Sequence, residues 1–142
     1  MGVTAAKVRP LEGAILRRRR AGGAGTMGNV VYNAADGDVE AARANAAATS
    51  EAIGVLVEVN EPGETTVADG DGCTIVTFGP VGGYDSLTPG AIYYLSDTVA
   101  GDITATAPSG AGKWAKSVGY AESAGILFVA PGITTARSSG LA

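Results

Sequence analysis

Short runs of β-branched and aromatic residues, each bounded by glycine, proline, asparagine or aspartate, constrain the fold of this chain more than any other feature. Such residues are enriched in strands, and the bounding residues favour turns. Several short strands separated by turns predict an all-β fold, a small antiparallel β-sandwich or barrel. The runs are Val30–Tyr32, Ile53–Val59, Cys73–Phe78, Ala91–Leu95, Ile103–Thr106 and Ile126–Val129.

The length of 142 residues fits one domain of ordinary size. Residues 1–8 are interpreted as an N-terminal arm and residues 9–132 as a single β domain. Residues 133–142 form a short segment of mostly small and polar residues, which is interpreted as a C-terminal tail. The predicted fold is therefore a β domain with extended arms at both ends.

Three turns are predicted from local chemistry. In Ala35–Asp38, Gly37 follows an aspartate and tolerates the positive φ that hairpin turns require. Asn60–Gly63 and Leu87–Gly90 each place a proline before a glycine, which presets φ and then closes the turn.

The alanine-rich segment Val39–Ala52 competes for helix, because alanine is the best helix former. However, this segment has no apolar stripe larger than alanine with which a short helix could dock. We expect at most one or two helical turns here.

Residues 28–59 and 90–129 resemble each other. Gly28–Tyr32, Gly37–Val39 and Ile53–Val55 are echoed by Gly90–Tyr94, Gly101–Ile103 and Val118–Tyr120 at offsets of 62, 64 and 65 residues. The chain is either an internal duplication or a series of glycine-bounded strands that are alike by chance.

The chain has no histidine and one cysteine, Cys73. The commonest general base and metal ligand is therefore absent, and neither Cys73 nor Ser138–Ser139 has a histidine that could activate it. The interpretation favours a protein that is not an enzyme, without a metal or cofactor, and Cys73 as a small buried apolar group.

Three segments partly match ligand-binding motifs. Gly23–Gly28 fits the dinucleotide pattern but follows arginines and precedes a strand instead of opening a helix. Ala107–Trp114 lacks the first glycine and the final hydroxyl of a P-loop. Asp69–Gly72 lacks the further ligands of a calcium loop, and a solvated turn is the better interpretation.

Charge is distributed unevenly. Residues 1–25 carry six basic residues against one acidic residue, and the remaining chain carries four against thirteen. The acidic part disfavours nucleic acid, and no aromatic residue alternates with the arginines to stack on bases. A protein partner with acidic groups is favoured, with a solvated edge strand as the alternative. The candidate partner-binding residues are Lys7, Arg9, Arg17, Arg18, Arg19 and Arg20.

Mean hydropathy is +0.20, yet no apolar run approaches the ~18 residues of a membrane span, and no apolar signal segment follows the N-terminus. We therefore expect synthesis in the cytoplasm and no membrane partner. Low charge and a high apolar content in a small domain favour an assembly in which subunits cover one another.

Several segments together resemble the capsid decoration, or cement, proteins of tailed bacteriophages. They are Arg9–Ala14, Gly28–Asn33, Ala52–Val55, Leu87–Leu95, Val118–Ala121 and Leu127–Val129. The resemblance implies a β-tulip or jelly-roll-like domain that forms a homotrimer on the outer surface of the capsid. It also implies the major capsid protein as partner, and it supplies no catalytic residues.

Two alternatives remain open. One is a phage head-fibre or tail component with the same β domain. The other is a carbohydrate-binding β module, for which the aromatic candidates are Trp114, Tyr84, Tyr93, Tyr94 and Tyr120.

Overall fold

The computed structural model describes residues 2–132 and 134–136. Strands account for nearly all of its regular structure, together with two short 3-10 turns at Ala5–Lys7 and Ala48–Ser50. The strands are β1 (Gly2–Val3), β2 (Arg9–Pro10), β3 (Ile15–Arg20), β4 (Gly25–Thr26), β5 (Val30–Asn33), β6 (Val39–Ala41), β7 (Ala52–Val59), β8 (Thr66–Val67), β9 (Gly72–Gly82), β10 (Tyr84–Asp85), β11 (Ile92–Leu95), β12 (Ile103–Thr104), β13 (Trp114–Ser123), β14 (Ile126–Val129) and β15 (Thr134–Ala136).

The main sheet has the order β12-β11-β13-β14-β9-β7-β5-β6, with β2 and β3 attached to β9 and β15 attached to β13. Its strand pairs are antiparallel, and the sheet curls into a half-barrel. The prediction of an all-β fold built as a small antiparallel sandwich or barrel is confirmed.

Two apolar cores lie on opposite faces of the strands in the first half of the sheet, which comprises β3, β5, β6, β7 and the first part of β9. In β7, Val55 and Val57 belong to the larger core, whereas Leu56 belongs to the smaller one. In β9, Val76 and Ile75 divide in the same way. Because β7 and the first half of β9 are buried on both faces, their sequences are almost continuously apolar instead of alternating.

The two similar segments occupy matching positions in the sheet. In β5 and β7, Val30 pairs with Val55 and Val31 with Gly54, with a bulge directly after Val31. In β11 and β13, Ile92 pairs with Tyr120 and Tyr93 with Gly119, again with a bulge directly after the second pair. The next strand pairs, β7–β9 and β13–β14, also carry a bulge at the same distance, after Leu56 and Ala121.

A bend in β9 separates the two halves. The register against β3 shifts between Ile15, which pairs with Phe78, and Leu16, which pairs with Val76. Gly79 then has φ of +118°, and a Cβ at this position would lie 2.7 Å from the Cα of Ala14. Only glycine satisfies both conditions, so the direction of β9 depends on this residue.

The first half of the sheet curves until the end of β3 meets β6. Ala21, directly after β3, forms a parallel bridge with Val39 in β6. The smaller core lies beneath this closure and contains Cys73 together with Ala21 and Val39.

The segments outside the central domain are in contact with it where they are described. In the proposed arm 1–8, β1 pairs with β10, and Val8 is part of the larger core. In the proposed tail 133–142, β15 pairs with the first residues of β13. Ser138–Ser139 lie outside the described residues.

The turns and the alanine-rich segment are as expected. Residues 39–52 contain β6 and one 3-10 turn, with no α-helix between them. In the hairpin between β5 and β6, the Ala34 amide donates to the Asp38 carbonyl oxygen and the Gly37 amide donates to the Ala34 carbonyl oxygen. Gly37, Gly63 and Gly90 have the positive φ that their turns require.

Candidate interaction surface

An apolar row crosses five neighbouring strands on one outer face of the sheet. Ile92 in β11 pairs with Tyr120 in β13, and Tyr120 pairs with Phe128 in β14. Phe128 contacts Phe78 in β9, which pairs with Ile15 in β3. Directly paired residues of neighbouring antiparallel strands point to the same face, so these five side chains form one continuous surface, called the outer row below.

Aromatic contacts hold the centre of the outer row in place. The rings of Tyr120 and Phe128 stack with centroids 5.2 Å apart, and Phe78 meets Phe128 edge-to-face at 5.1 Å. Both arrangements are among the favoured geometries of aromatic pairs. The side chains are nevertheless open to solvent, with exposed fractions of 54% for Ile15, 48% for Phe78, 41% for Tyr120 and 53% for Ile92.

The sequence patterns did not indicate the outer row as a surface. Ile92, Phe78 and Phe128 lie in runs predicted as strands, whereas Ile15 and Tyr120 lie in strands that were not predicted. A strand pattern also does not say which face of a strand a second layer covers. The available signal was the repeat, because aligning Ile92 with Val30 and Tyr120 with Val55 shows apolar residues on the same face in both halves.

The four consecutive arginines lie in β3, which runs along the edge of the sheet against β9. Arg17 and Arg19 pair with Ile75 and Cys73, whereas Arg18 pairs with Thr74. The guanidinium groups therefore leave the strand on alternate faces, two on each, as a strand requires.

Two of the arginines bind the hairpin between β5 and β6. The Arg19 guanidinium donates hydrogen bonds to the side-chain oxygen of Asn33 and, over 2.7 Å, to the carbonyl oxygen of Gly37. Arg20 Nε lies 3.3 Å from a carboxylate oxygen of Asp38. These arginines thus connect β3 to β6 at the closure of the first half.

Arg17 and Arg18 are more available. Arg18 donates one hydrogen bond of 3.0 Å to Thr74 Oγ1, and Thr74 Oγ1 lies 3.5 Å from Glu58 Oε1. The Arg17 side chain is exposed and forms no hydrogen bond or ion pair with any residue that the structure describes. Within the arginine run, Arg17 therefore has the most available guanidinium group.

Lys7 and Arg9 are not part of the same patch. Arg9 in β2 pairs with Gly82, at the far end of β9 from the arginines of β3. At ~3.3 Å per residue, Gly82 lies about 20 Å along the strand from Ile75. The six candidate residues therefore form two separate basic groups, with the central part of the outer row between them along β9.

The three partial motifs form turns, loops and short strands. Residues 23–28 contain β4 and lead into β5, so no helix follows the glycines. Residues 107–113 form a loop before β13. In the turn at 68–71, Asp71 uses its carboxylate to accept a hydrogen bond of 2.9 Å from the Ala68 amide. Among residues 2–132 and 134–136, no group of three acidic, cysteine or histidine side chains could hold a metal ion.

Cys73 is fully buried in the smaller core. Burial raises the pKa of its thiol, an effect that the guanidinium groups of Arg18 and Arg19 partly oppose. A thiol that is protonated and inaccessible is a poor nucleophile. This position is that of a packing residue.

The aromatic residues proposed for carbohydrate binding do not come together. Tyr84 and Tyr93 are buried, and Tyr93 accepts a hydrogen bond from the Thr88 amide. Tyr120 is exposed, but one face of its ring stacks on Phe128. A sugar needs free aromatic faces on which to stack, so Tyr84 and Tyr93 offer none and Tyr120 offers one, while Tyr94 and Trp114 are partly buried.

Comparison with the models of known protein families gave no match, and no curated protein matches the chain. No helix in the described part of the chain is long and apolar enough to cross a membrane.

Proposed function

We propose that this protein is a structural component of a virion, which binds the outer surface of a bacteriophage capsid and stabilises it by bridging subunits of the major capsid protein. One observation carries the proposal. The edge strand β3 presents Arg17 and Arg18 next to exposed Leu16, on a framework held at both ends. Basic and apolar side chains in one exposed strand suit a protein surface with carboxylates around an apolar centre.

The chemistry of arginine explains how such an attachment would work. A guanidinium forms two parallel hydrogen bonds with a carboxylate, which fixes orientation as well as contact. An exposed ion pair contributes only ~0–1 kcal/mol, so one arginine is not enough. The affinity would come from several arginines in each copy, and from several copies linked in a homotrimer, since linked contacts strengthen one another.

The test compares capsid occupancy for two variants. Arg17→Ser/Arg18→Ser removes the available guanidinium groups and leaves Arg19 and Arg20 to hold the hairpin. Lys113→Ser is the control, because it removes a positive charge that is paired with Asp97 away from β3. Purified capsids that lack this protein would be mixed with each variant, and the bound protein quantified at low salt and at about 1 M salt, where the screening length falls to ~3 Å.

We expect the double variant to lose most of its low-salt occupancy and its sensitivity to salt, while the control behaves as the wild type does. If the folded double variant binds as the wild type does at both salt concentrations, the arginines of β3 form a solvated edge and the coat contact proposed here is wrong.

A further inference from the structure

The outer row has a counterpart in the first half of the chain that is completely buried. The pairing of Ile92 with Tyr120 and of Tyr120 with Phe128 matches the pairing of Val30 with Val55 and of Val55 with Val76. Val30, Val55 and Val76 each have an exposed fraction of 0%. The same face of the repeated unit is therefore covered in one half and open in the other.

The covering layer in the first half is itself a repeat of this chain. Val30, Val55 and Val76 belong to one core with residues of the second half that point to its inner face, namely Tyr93, Val118, Leu127 and Val129. A sheet face of this unit thus already packs against another unit of the same kind. In this internal contact, the face that matches the outer row meets the inner face of the other half, and between two copies only the outer rows remain open to each other.

The residues of the outer row are those of a covered face. When one face of an antiparallel sheet meets water, that face is normally polar. Here Ile92, Tyr120 and Phe128 are apolar and larger than the valines that they match. A hollow of about 180 Å³, lined by Ile92, Ser117, Gly119, Tyr120 and Ala130, adds a place where a side chain can insert.

We infer that the outer row is a self-association surface, on which a second copy of this chain packs with its own outer row. The row contains no charged side chain, so two copies of a chain with a net charge of −4 can meet there without placing like charges in contact. The charged surfaces of the same molecule suit a partner of opposite charge instead. The inference does not depend on capsid binding.

The exposed area of the outer row sets the expected strength of self-association. Half-exposed side chains of this size offer roughly 100 Å² each, and the row therefore offers roughly 400–500 Å². A stable interface buries about 800 Å² on each partner. The row is then the apolar centre of the contact, and the residues around it supply the rim. We expect an association that depends on protein concentration and persists in high salt.

The experiment measures the mass of the free protein by light scattering after size-exclusion chromatography, over a roughly hundredfold range of concentration. The wild type is expected to reach twice 14.0 kDa. Ile92→Thr/Tyr120→Ser should weaken self-association ~30-fold or more, because a few large side chains near the centre of an interface, often aromatic, contribute much of its affinity. Val99→Thr is the matched control, since Val99 is equally exposed at 55% but lies outside the row.

Circular dichroism would show that each variant is folded. If the double variant does not fold, Ile92→Glu replaces it, because Ile92 is half exposed and a carboxylate there would meet its own copy across the interface. A second measurement is the melting temperature of the wild type, which should rise with protein concentration when the folded state associates.

Two outcomes would overturn the inference. One is a wild type that stays a monomer at every concentration. If, in that case, the row variant also loses capsid occupancy, the outer row contacts the coat protein instead. The other is a folded row variant with the mass of the wild type. Measurements in about 1 M salt distinguish self-association from the coat contact. High salt should weaken capsid binding through the arginines and leave two copies associated through the apolar row.

Discussion

Gly54 in β7 and Gly119 in β13 occupy equivalent places in the two halves of the sheet, and each lies against a backbone carbonyl. A Cβ on Gly54 would overlap with the carbonyl oxygen of Val76, and a Cβ on Gly119 would overlap with that of Phe128. Both glycines stand directly opposite the middle residue of a short strand, Val31 or Tyr93. Two strands related by the repeat thus share one steric requirement.

Gly119→Ala is expected to destabilise the protein by about 2–3 kcal/mol, because the obstacle is backbone and cannot rotate away. Chemical denaturation monitored by circular dichroism would measure the change. Gly23→Ala is the control, since its Cβ would lie 3.7 Å from the nearest atom, a Glu40 side-chain oxygen. Equal effects of the two substitutions would contradict the steric argument.

Arg19→Ser is expected to loosen the hairpin between β5 and β6. The substitution removes the hydrogen bonds to Asn33 and to the Gly37 carbonyl, which together contribute about 1–2 kcal/mol. Hydrogen exchange of the amides between residues 33 and 39 should accelerate. Arg17→Ser removes a side chain without a described partner and should leave the exchange rates of these amides unchanged. The same acceleration in both variants would show that the Arg19 hydrogen bonds do not hold the hairpin.

Tyr84 is expected to drive unfolding at alkaline pH. Burial raises the pKa of its phenol well above the ordinary value of 10.0, and the Asp102 carboxylate raises it further. Above pH 10 the unfolded chain releases this proton while the folded chain keeps it, so the stability present below pH 10 is lost as the pH rises. Tyr84→Phe should unfold less steeply between about pH 10 and pH 12. Its hydroxyl lies 3.5 Å from the Gly28 carbonyl, so little hydrogen bonding is lost. Identical slopes for wild type and variant would exclude Tyr84 as the cause.

Cys73 is expected to react with thiol reagents only after the protein opens. Its side chain has no exposed surface, and burial raises the pKa of the thiol. The labelling rate in native buffer should therefore follow the opening of the smaller core, and it should increase with denaturant in parallel with unfolding. Rapid labelling of the folded protein would show that the core around Ala21 and Val39 opens locally.

The sequence alone predicted the all-β class, six of the strands, the turns and the repeat offsets, but it did not predict β3 or β13 as strands. Val30–Tyr32 and Cys73–Phe78 are strands because β-branched residues fit a pleated surface, and Gly37 and Gly90 close turns because they adopt positive φ. The alanines of residues 39–52 did not form an α-helix, since the segment has no apolar stripe larger than alanine with which a short helix could dock. These are local properties, because the residues adjacent in sequence are enough to determine them.

Only the tertiary structure decided which apolar faces are covered and which arginines are occupied. Val30 and Ile92 are alike in sequence and in pairing, but Val30 is buried by the second half of the chain and Ile92 is not. Arg19 and Arg17 are alike in the same strand, but only Arg19 lies within reach of the hairpin. Burial and contact depend on how the curled sheet brings distant segments together, and the periodicity of a single strand holds no information about that.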